Sequence, residues 1–291
     1  MIPPPFEYVA PASVPEAIGL LGQSEGAKIL AGGQSLIPLM RFRLAAPPLL
    51  IDINHIPGLE SIREEDGWLK LGALTREAEL DRSELIHRRY PLLADTCRQI
   101  ADPLVRNLAT VGGNLAHADP ANDHPATMLA YRAKLVVQGP AGERIIDIDD
   151  FFIGPFESAL GPGELLTEIR IPAPQPYSSG AYQKLERKVG DFATAAVAVQ
   201  ITMDPNGNCS YAGLALTNLG LTPIRAVQAE QALLGKPLED AAIREAAALA
   251  AQAAEPQADH RGSLEYKRAL VRTLTVRGLR LATERLKRGK S

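Results

Sequence analysis

Two stretches of paired glycines set the terms on which this chain can fold. The first, Lys28 to Leu39, reads KILAGGQSLIPL, and the second, Thr110 to Pro125, reads TVGGNLAHADPANDHP. In the first, a short apolar strand runs into Gly32 and Gly33, which lack Cβ atoms. The backbone can turn there with positive φ and present main-chain N–H groups to a ligand. Ser35 follows at the start of an expected helix, Leu36 to Phe42. A glycine turn feeding a helix start makes an anion cradle. The second stretch repeats the plan, with Leu108 and Val111 leading into Gly112, Gly113 and Asn114. Two such loops predict one ligand with two phosphates, held from both sides. Neither is a P-loop, GxxxxGK[ST], and neither is the GxGxxG of a Rossmann unit.

The composition narrows the class. The chain has 291 residues, enough for two or three domains, with 46% apolar and 22% charged residues and a net charge of −3. With a pI near 6.0, nothing points to nucleic acid or to an anionic membrane. No apolar run reaches the roughly 18 residues of a membrane span. The opening residues lack the pattern of a signal peptide, so a cytoplasmic protein is expected. Cys97 and Cys209 are the only cysteines. Two cannot ligate an iron–sulfur cluster, and the expectation is two small buried hydrophobes.

Read along the chain, the pattern divides at 1–57, 58–175 and 176–291. The first part is a β-α-β-α-β unit, with a capping box at Ser13-Val14-Pro15-Glu16 and a strand at Leu49 to Ile53. The second opens on a hairpin around Glu65-Asp66-Gly67, with Thr75 capping a short helix. A helix over Tyr90 to Ala101 carries Cys97, and a further helix spans Asp123 to Tyr131. A hairpin (134–147) and a strand at Leu165 to Ile171 complete it. After a Pro- and Ser-rich linker at 173–179, three strands are expected (182–187, 194–203 and 209–216). Three helices then run over 224–234, 238–254 and 263–288. The last carries an apolar stripe through Leu270, Leu274 and Leu281, with basic residues massed at its end.

His117, Asp119, Asp123 and His124 have metal-ligand chemistry. Pro120 and Pro125 predict an extended loop in which their side chains diverge, so a polar loop is expected and no metal. Asp147, Asp149 and Asp150 lack the glycine and terminal glutamate of a calcium loop and read as a solvated turn. No nucleophile–base arrangement stands out.

The ordered set AGGQSL, ATVGGN, DPANDHP, GELLTEIRIP, KLERKVGDFATAAVAV and DHRGSLEYKRAL resembles the FAD-binding medium subunits of the molybdenum hydroxylases, the family of the carbon monoxide and xanthine dehydrogenase flavoproteins. The resemblance covers nearly the whole chain. It implies an α+β fold: a two-part FAD-binding region of the vanillyl-alcohol-oxidase (PCMH) type, then a C-terminal α/β domain with a three-stranded sheet and helices. It implies that Ala31, Gly32, Gly33, Gln34 and Ser35, flanked by Ile29, Leu30 and Leu36, contact the FAD pyrophosphate. Position 34 also carries His in the family, so little rests on that side chain. Thr110, Gly112, Gly113 and Asn114 with Ala109 would form the second loop, preceded by Ile100. Asp123 would hold the ribose or nearby groups, Leu166 would lie near the flavin ring, and Lys184 would open the C-terminal domain's share of the site.

The implied function is electron transfer with no catalytic acid, base or nucleophile in this chain. Electrons would arrive from a [2Fe-2S] partner and leave to an external acceptor. The implied partners are a small iron–sulfur subunit and a large molybdopterin subunit, assembled as a dimer of heterotrimers. A self-contained flavin oxidoreductase of the same FAD fold is the alternative; it would need its own proton donor, which the alanine-rich C-terminal third does not offer. A nucleotide-sensing module without turnover is a second.

Overall fold

The computed structural model of the protein describes residues 2–288. Among these, the strands gather into three main sheets and one short hairpin. The first unit comprises β1 (Glu7–Val9), α1 (Val14–Gln23), β2 (Lys28–Leu30), α2 (Leu36–Arg41) and β3 (Leu49–Asp52). Its sheet is parallel in the order β1-β3-β2, as a β-α-β-α-β sequence requires. Ser13 caps α1 by accepting from the Glu16 amide. The Glu16 carboxylate in turn accepts from the amide of Ala12, one residue earlier than a capping box places it. Strands this short cannot bury a core alone. Ile51, Ile53 and Ala17 therefore share their cluster with Leu74 and Leu165 of the next unit.

That unit begins with β4 (Ile62–Glu65) and β5 (Trp68–Gly72), joined through Asp66 and Gly67, both at positive φ as a tight hairpin demands. Six helices follow: α3 (Glu77–Arg82), α4 (Glu84–Arg89), α5 (Pro91–Gln99), α6 (Pro103–Arg106), α7 (Val111–His117) and α8 (Asp123–Tyr131). Then come β6 (Lys134–Gly139), β7 (Gly142–Asp147), β8 (Phe152–Gly154), β9 (Glu157–Ser158) and β10 (Leu165–Pro172). The main sheet is antiparallel, ordered β4-β5-β10-β6-β7. Thr75 does not cap α3; its hydroxyl donates to the Ser61 carbonyl and braces the hairpin, while Arg76 takes the N-cap position. Pro125 lies in the first turn of α8, where its missing N–H costs nothing, so the expected extended loop ends at Asn122.

The last unit holds β11 (Ser178–Leu185), β12 (Ala195–Met203), β13 (Cys209–Thr217) and β14 (Ile224–Arg225), then α9 (Val227–Leu233), α10 (Asp240–Ala253) and α11 (Leu264–Arg288). Its sheet has four strands, not three. Ile224 and Arg225 pair with Leu216 and Ala215 before α9 begins, because β13 would otherwise leave an unpaired edge. The buried stripe of α11 runs through Val271, Leu274, Gly278 and Ala282, rotated from the leucine stripe expected, with Leu281 only half-buried.

Strand β12 decides how this unit sits. Ala196 and Ala198 face the core built on α5 and α8, and Val197, Val199 and Ile201 face the core under α10 and α11. With both faces buried, the strand reads as a continuous apolar run. The faces differ in size because α8 approaches closely. A Cβ on Gly213 would stand 1.9 Å from the Ala130 carbonyl oxygen, so only glycine fits there.

Candidate functional site

The two glycine pairs meet. Gly33 turns the chain at φ +72° after β2, as expected of a residue without Cβ. Gly32 has an ordinary φ and is small for another reason: a Cβ there would stand 2.3 Å from the Leu108 carbonyl oxygen and 2.8 Å from Ala109 Cα. The first loop thus lies directly on the segment that leads into the second. A Cβ on Gly113 would stand 3.6 Å from Ala31 Cβ, so α7 closes the contact from the other side.

The second pair is not a turn. Thr110 caps α7, its hydroxyl accepting from the Gly113 amide at 3.2 Å, so Gly112 and Gly113 occupy the first helical turn. The amides of Val111, Gly112, Gly113 and Asn114 bond to Thr75 O, Ala73 O, Thr110 Oγ1 and Thr110 O. The expected second cradle of free N–H groups is therefore absent among the described residues. Gly112 serves packing: a Cβ would meet the Ala73 carbonyl oxygen at 2.6 Å. In the first loop the amides of Gly32, Gly33, Gln34 and Ser35 have no protein acceptor among the described residues, and the loop is half-exposed. The Ser35 hydroxyl makes no capping bond to α2. Four open amides before a helix start are donors of the kind an anion requires, and they come from one loop.

Residues the motifs did not flag hold the loops in place. Asn54 Nδ2 donates to the Ala31 carbonyl at 2.9 Å and to Asp52, which also accepts from the Tyr8 hydroxyl at 2.6 Å. Arg76 spans both loops, donating to Asn54 Oδ1 at 2.6 Å and to the Leu108 carbonyl. An Asn just after a strand was the one available signal for Asn54; Arg76 carried none.

Asp123, Lys184 and Ile100 come together as a second group. Asp123 opens α8 and is buried. Its two oxygens accept from Tyr182 Oη at 2.6 Å and Lys184 Nζ at 2.9 Å. Burial pushes the Asp123 carboxyl up from its ordinary range, and Lys184 and Tyr182 oppose that shift. Burial, then the carboxylate, pushes the Tyr182 phenol well up. Lys184 Nζ also donates to the Gln99 carbonyl at 2.9 Å, and the Ile100 carbonyl next to it accepts from Arg106. Asn122 Nδ2 donates to the Asn114 carbonyl at 2.8 Å, joining this group to α7. Asn114 Oδ1 is buried with no protein partner among the described residues.

Leu166 is buried in β10 within the main core, and α7 packs on that strand. Ile29, Leu30 and Leu36 flank the first loop half-buried. The four residues considered for a metal make separate contacts, two of them from α8 and not from an extended loop. His117 rests on the Phe156 ring, Asp119 accepts from the Ala121 amide, Asp123 faces Lys184, and His124 faces Glu77. Asp149 pairs with Arg225 at 2.6 Å, as fits a surface turn.

Two family models match the chain. The FAD binding domain in molybdopterin dehydrogenase covers residues 4–174, and the CO dehydrogenase flavoprotein C-terminal domain covers residues 180–282. The carbon monoxide dehydrogenase medium chain of Hydrogenophaga pseudoflava is 46% identical over 98% of this chain and 99% of its own length. The solved carbon monoxide dehydrogenase of that organism, which lacks the Mo-pyranopterin moiety of its cofactor, superposes with a TM-score of 0.95 at 47% identity, covering 98% of this chain and 99% of that one. Quinoline 2-oxidoreductase from Pseudomonas putida 86 superposes with a TM-score of 0.91 at 32% identity, covering 98% and 99%.

Proposed function

The chain belongs to the FAD-binding family of the molybdopterin dehydrogenases, and on that premise we propose that it is the flavin-bearing electron-transfer subunit of a multi-subunit molybdenum hydroxylase. The observation that carries the reading is the first loop, where four unpartnered amides precede a helix start. The residues present fit FAD. The open amides of Gly32 to Ser35 match the pyrophosphate, and the orphaned Asn114 Oδ1 offers an acceptor to a ribose hydroxyl or ring N–H.

In this reading Ala31 to Ser35, with Ile29, Leu30 and Leu36, hold the phosphates. Ala109, Thr110, Gly112, Gly113 and Asn114 press the opposite wall against them. Ile100 and Leu166 are buried behind that wall and support it. Asp123 and Lys184 neutralise each other and brace the wall, so they position backbone rather than grip the ligand through free charges. Bound FAD supplies both one- and two-electron redox chemistry, linking an iron–sulfur donor to an external acceptor. The protein's own task is to bind, orient and shield that group. We divide the chain at 1–57, 58–175 and 176–291, the first two parts enclosing the FAD and the third closing one side.

The holoenzyme would add a small subunit with [2Fe-2S] clusters and a large molybdopterin subunit carrying the substrate site, arranged as a dimer of heterotrimers in the cytoplasm. Relatives named for carbon monoxide and for quinoline share this fold, which supports a substrate site outside this chain. No helix of the described residues is long and apolar enough to cross a membrane.

The test is to purify the chain alone and with both partner subunits. The chain alone should bind FAD, contain neither iron nor molybdenum, and reduce no dye with substrate. Turnover should appear only in the three-subunit complex. Turnover by the single chain would promote the self-contained flavoenzyme instead.

A further inference from the structure

Behind the second glycine segment, three helices bring together side chains that the flavin reading does not use. Glu77 is the first residue of α3, Cys97 lies in the last turn of α5, and His124 lies in the first turn of α8. All three are 0% exposed. One ligand atom from each, the thiol sulfur, an imidazole nitrogen and a carboxylate oxygen, lies within 4.8 Å of the other two. His124 Nε2 and Glu77 Oε2 are 2.8 Å apart. The remaining polar atoms, Glu77 Oε1 and His124 Nδ1, are buried without a hydrogen-bond partner among the described residues. Buried carboxylate and imidazole atoms are seldom left unpaired, because an unpaired one forfeits its solvation.

We propose that Glu77, Cys97 and His124 form a closed structural site for one thiophilic divalent cation, with zinc the best match. The donor types are those zinc accepts: one thiolate sulfur, one imidazole nitrogen and a carboxylate, whose second oxygen supplies the fourth donor. Zinc–ligand distances of about 2.0–2.3 Å need donor separations only about 1 Å shorter than the present limit, within reach of side-chain rotation. Charge favours the same answer. Binding replaces the Cys97 S–H bond with an S–metal bond and releases the proton to solvent. Thiolate, carboxylate and dication then sum to zero, which a buried site tolerates far better than an isolated carboxylate.

The site would pin three helices at one point. The Glu77 amide already donates to the Ala109 carbonyl, so the cation would hold the segment just before Thr110. With every ligand buried, the metal enters as the chain folds and does not exchange readily afterwards.

The test uses the full chain, purified without chelator, stripped in denaturant, and refolded with zinc or with cobalt as its spectroscopic substitute. The wild-type chain should retain one equivalent of metal after desalting. Its cobalt form should show a near-ultraviolet thiolate-to-metal band, and its thermal midpoint should rise with metal. Cys97→Ser should abolish the band and the metal-dependent rise, and His124→Gln should lower retention. Wild-type chain that refolds to the native far-ultraviolet circular dichroism with substoichiometric metal would overturn the proposal. So would metal retained undiminished by Cys97→Ser. The wild-type measurement decides the matter even where a variant fails to fold.

Discussion

Lys184 Nζ stands 2.9 Å from Asp123 Oδ2, joining β11 of the last unit to the start of α8 across 61 residues of sequence. The side chains are 1% and 8% exposed, so each charge relies on buried partners: Asp123 on Lys184 and Tyr182, and Lys184 on Asp123, Glu186 and the Gln99 carbonyl. Removing one partner strands a buried charge, which costs about 3–5 kcal/mol, whereas replacing both by apolar groups of similar volume costs far less. Lys184→Ala should therefore lower the denaturant midpoint markedly, and adding Asp123→Leu to Lys184→Met should restore most of it. Equal destabilisation by the single and double variants would show that the pair is not the source.

The glycine pairs should respond unequally. At Gly32 a new Cβ meets backbone at 2.3 Å, and backbone cannot give way, so Gly32→Ala should loosen the fold as well as the flavin. At Gly113 the nearest atom is the movable Thr110 hydroxyl, at 2.7 Å. Gly113→Val should keep the far-ultraviolet circular dichroism of the parent and lower its flavin-to-protein ratio. Full flavin occupancy in Gly113→Val would remove that residue from the site.

Arg76 clasps the two loops through Asn54 and the Leu108 carbonyl. Hydrogen bonds from a charged donor contribute about 1.5–3 kcal/mol each. Arg76→Met should weaken FAD binding by more than tenfold. It should also speed amide exchange in 31–36 and 108–114, while exchange in β12 stays unchanged. Parent-like affinity with parent-like exchange would show that the loops hold each other without it.

Asp191 gives an acid limb to the stability profile. The hydrogen bond from Arg261 at 3.1 Å, helped by the Phe192 amide and Arg187 and opposed by some burial, brings its carboxyl down to about 2 from an ordinary 3.8. A folded-state value below the unfolded one means the unfolded chain takes up the proton first. The contribution is complete above 3.8 and is lost as pH falls through about 2. Asp191→Asn should lower stability at neutral pH and flatten the profile across that window. A variant whose acid limb matches the parent's would place the transition on other carboxylates.

What the sequence determined by itself is local. A strand that runs into Gly32 and Gly33 must turn there, and Gly33 does so at φ +72°. The expected helix at Asp123 to Tyr131 and the expected hairpin at 134–147 both form, and the ordered motifs identified the family. What only the tertiary structure decided depends on groups far apart in sequence. Gly112 and Gly113 look like Gly32 and Gly33 on paper. They became the first turn of a helix because Ala73 and Thr75 carbonyls, with the Thr110 cap, take the amides that a loop would have left open. Asp123 and Lys184 stand 61 residues apart in sequence and are each other's partners in the structure. His124 read as part of a polar loop and is instead held by Glu77, 47 residues away. A charged side chain's partner is chosen by whichever opposite charge or carbonyl the packing buries beside it, and packing is set by the sheets and helices together.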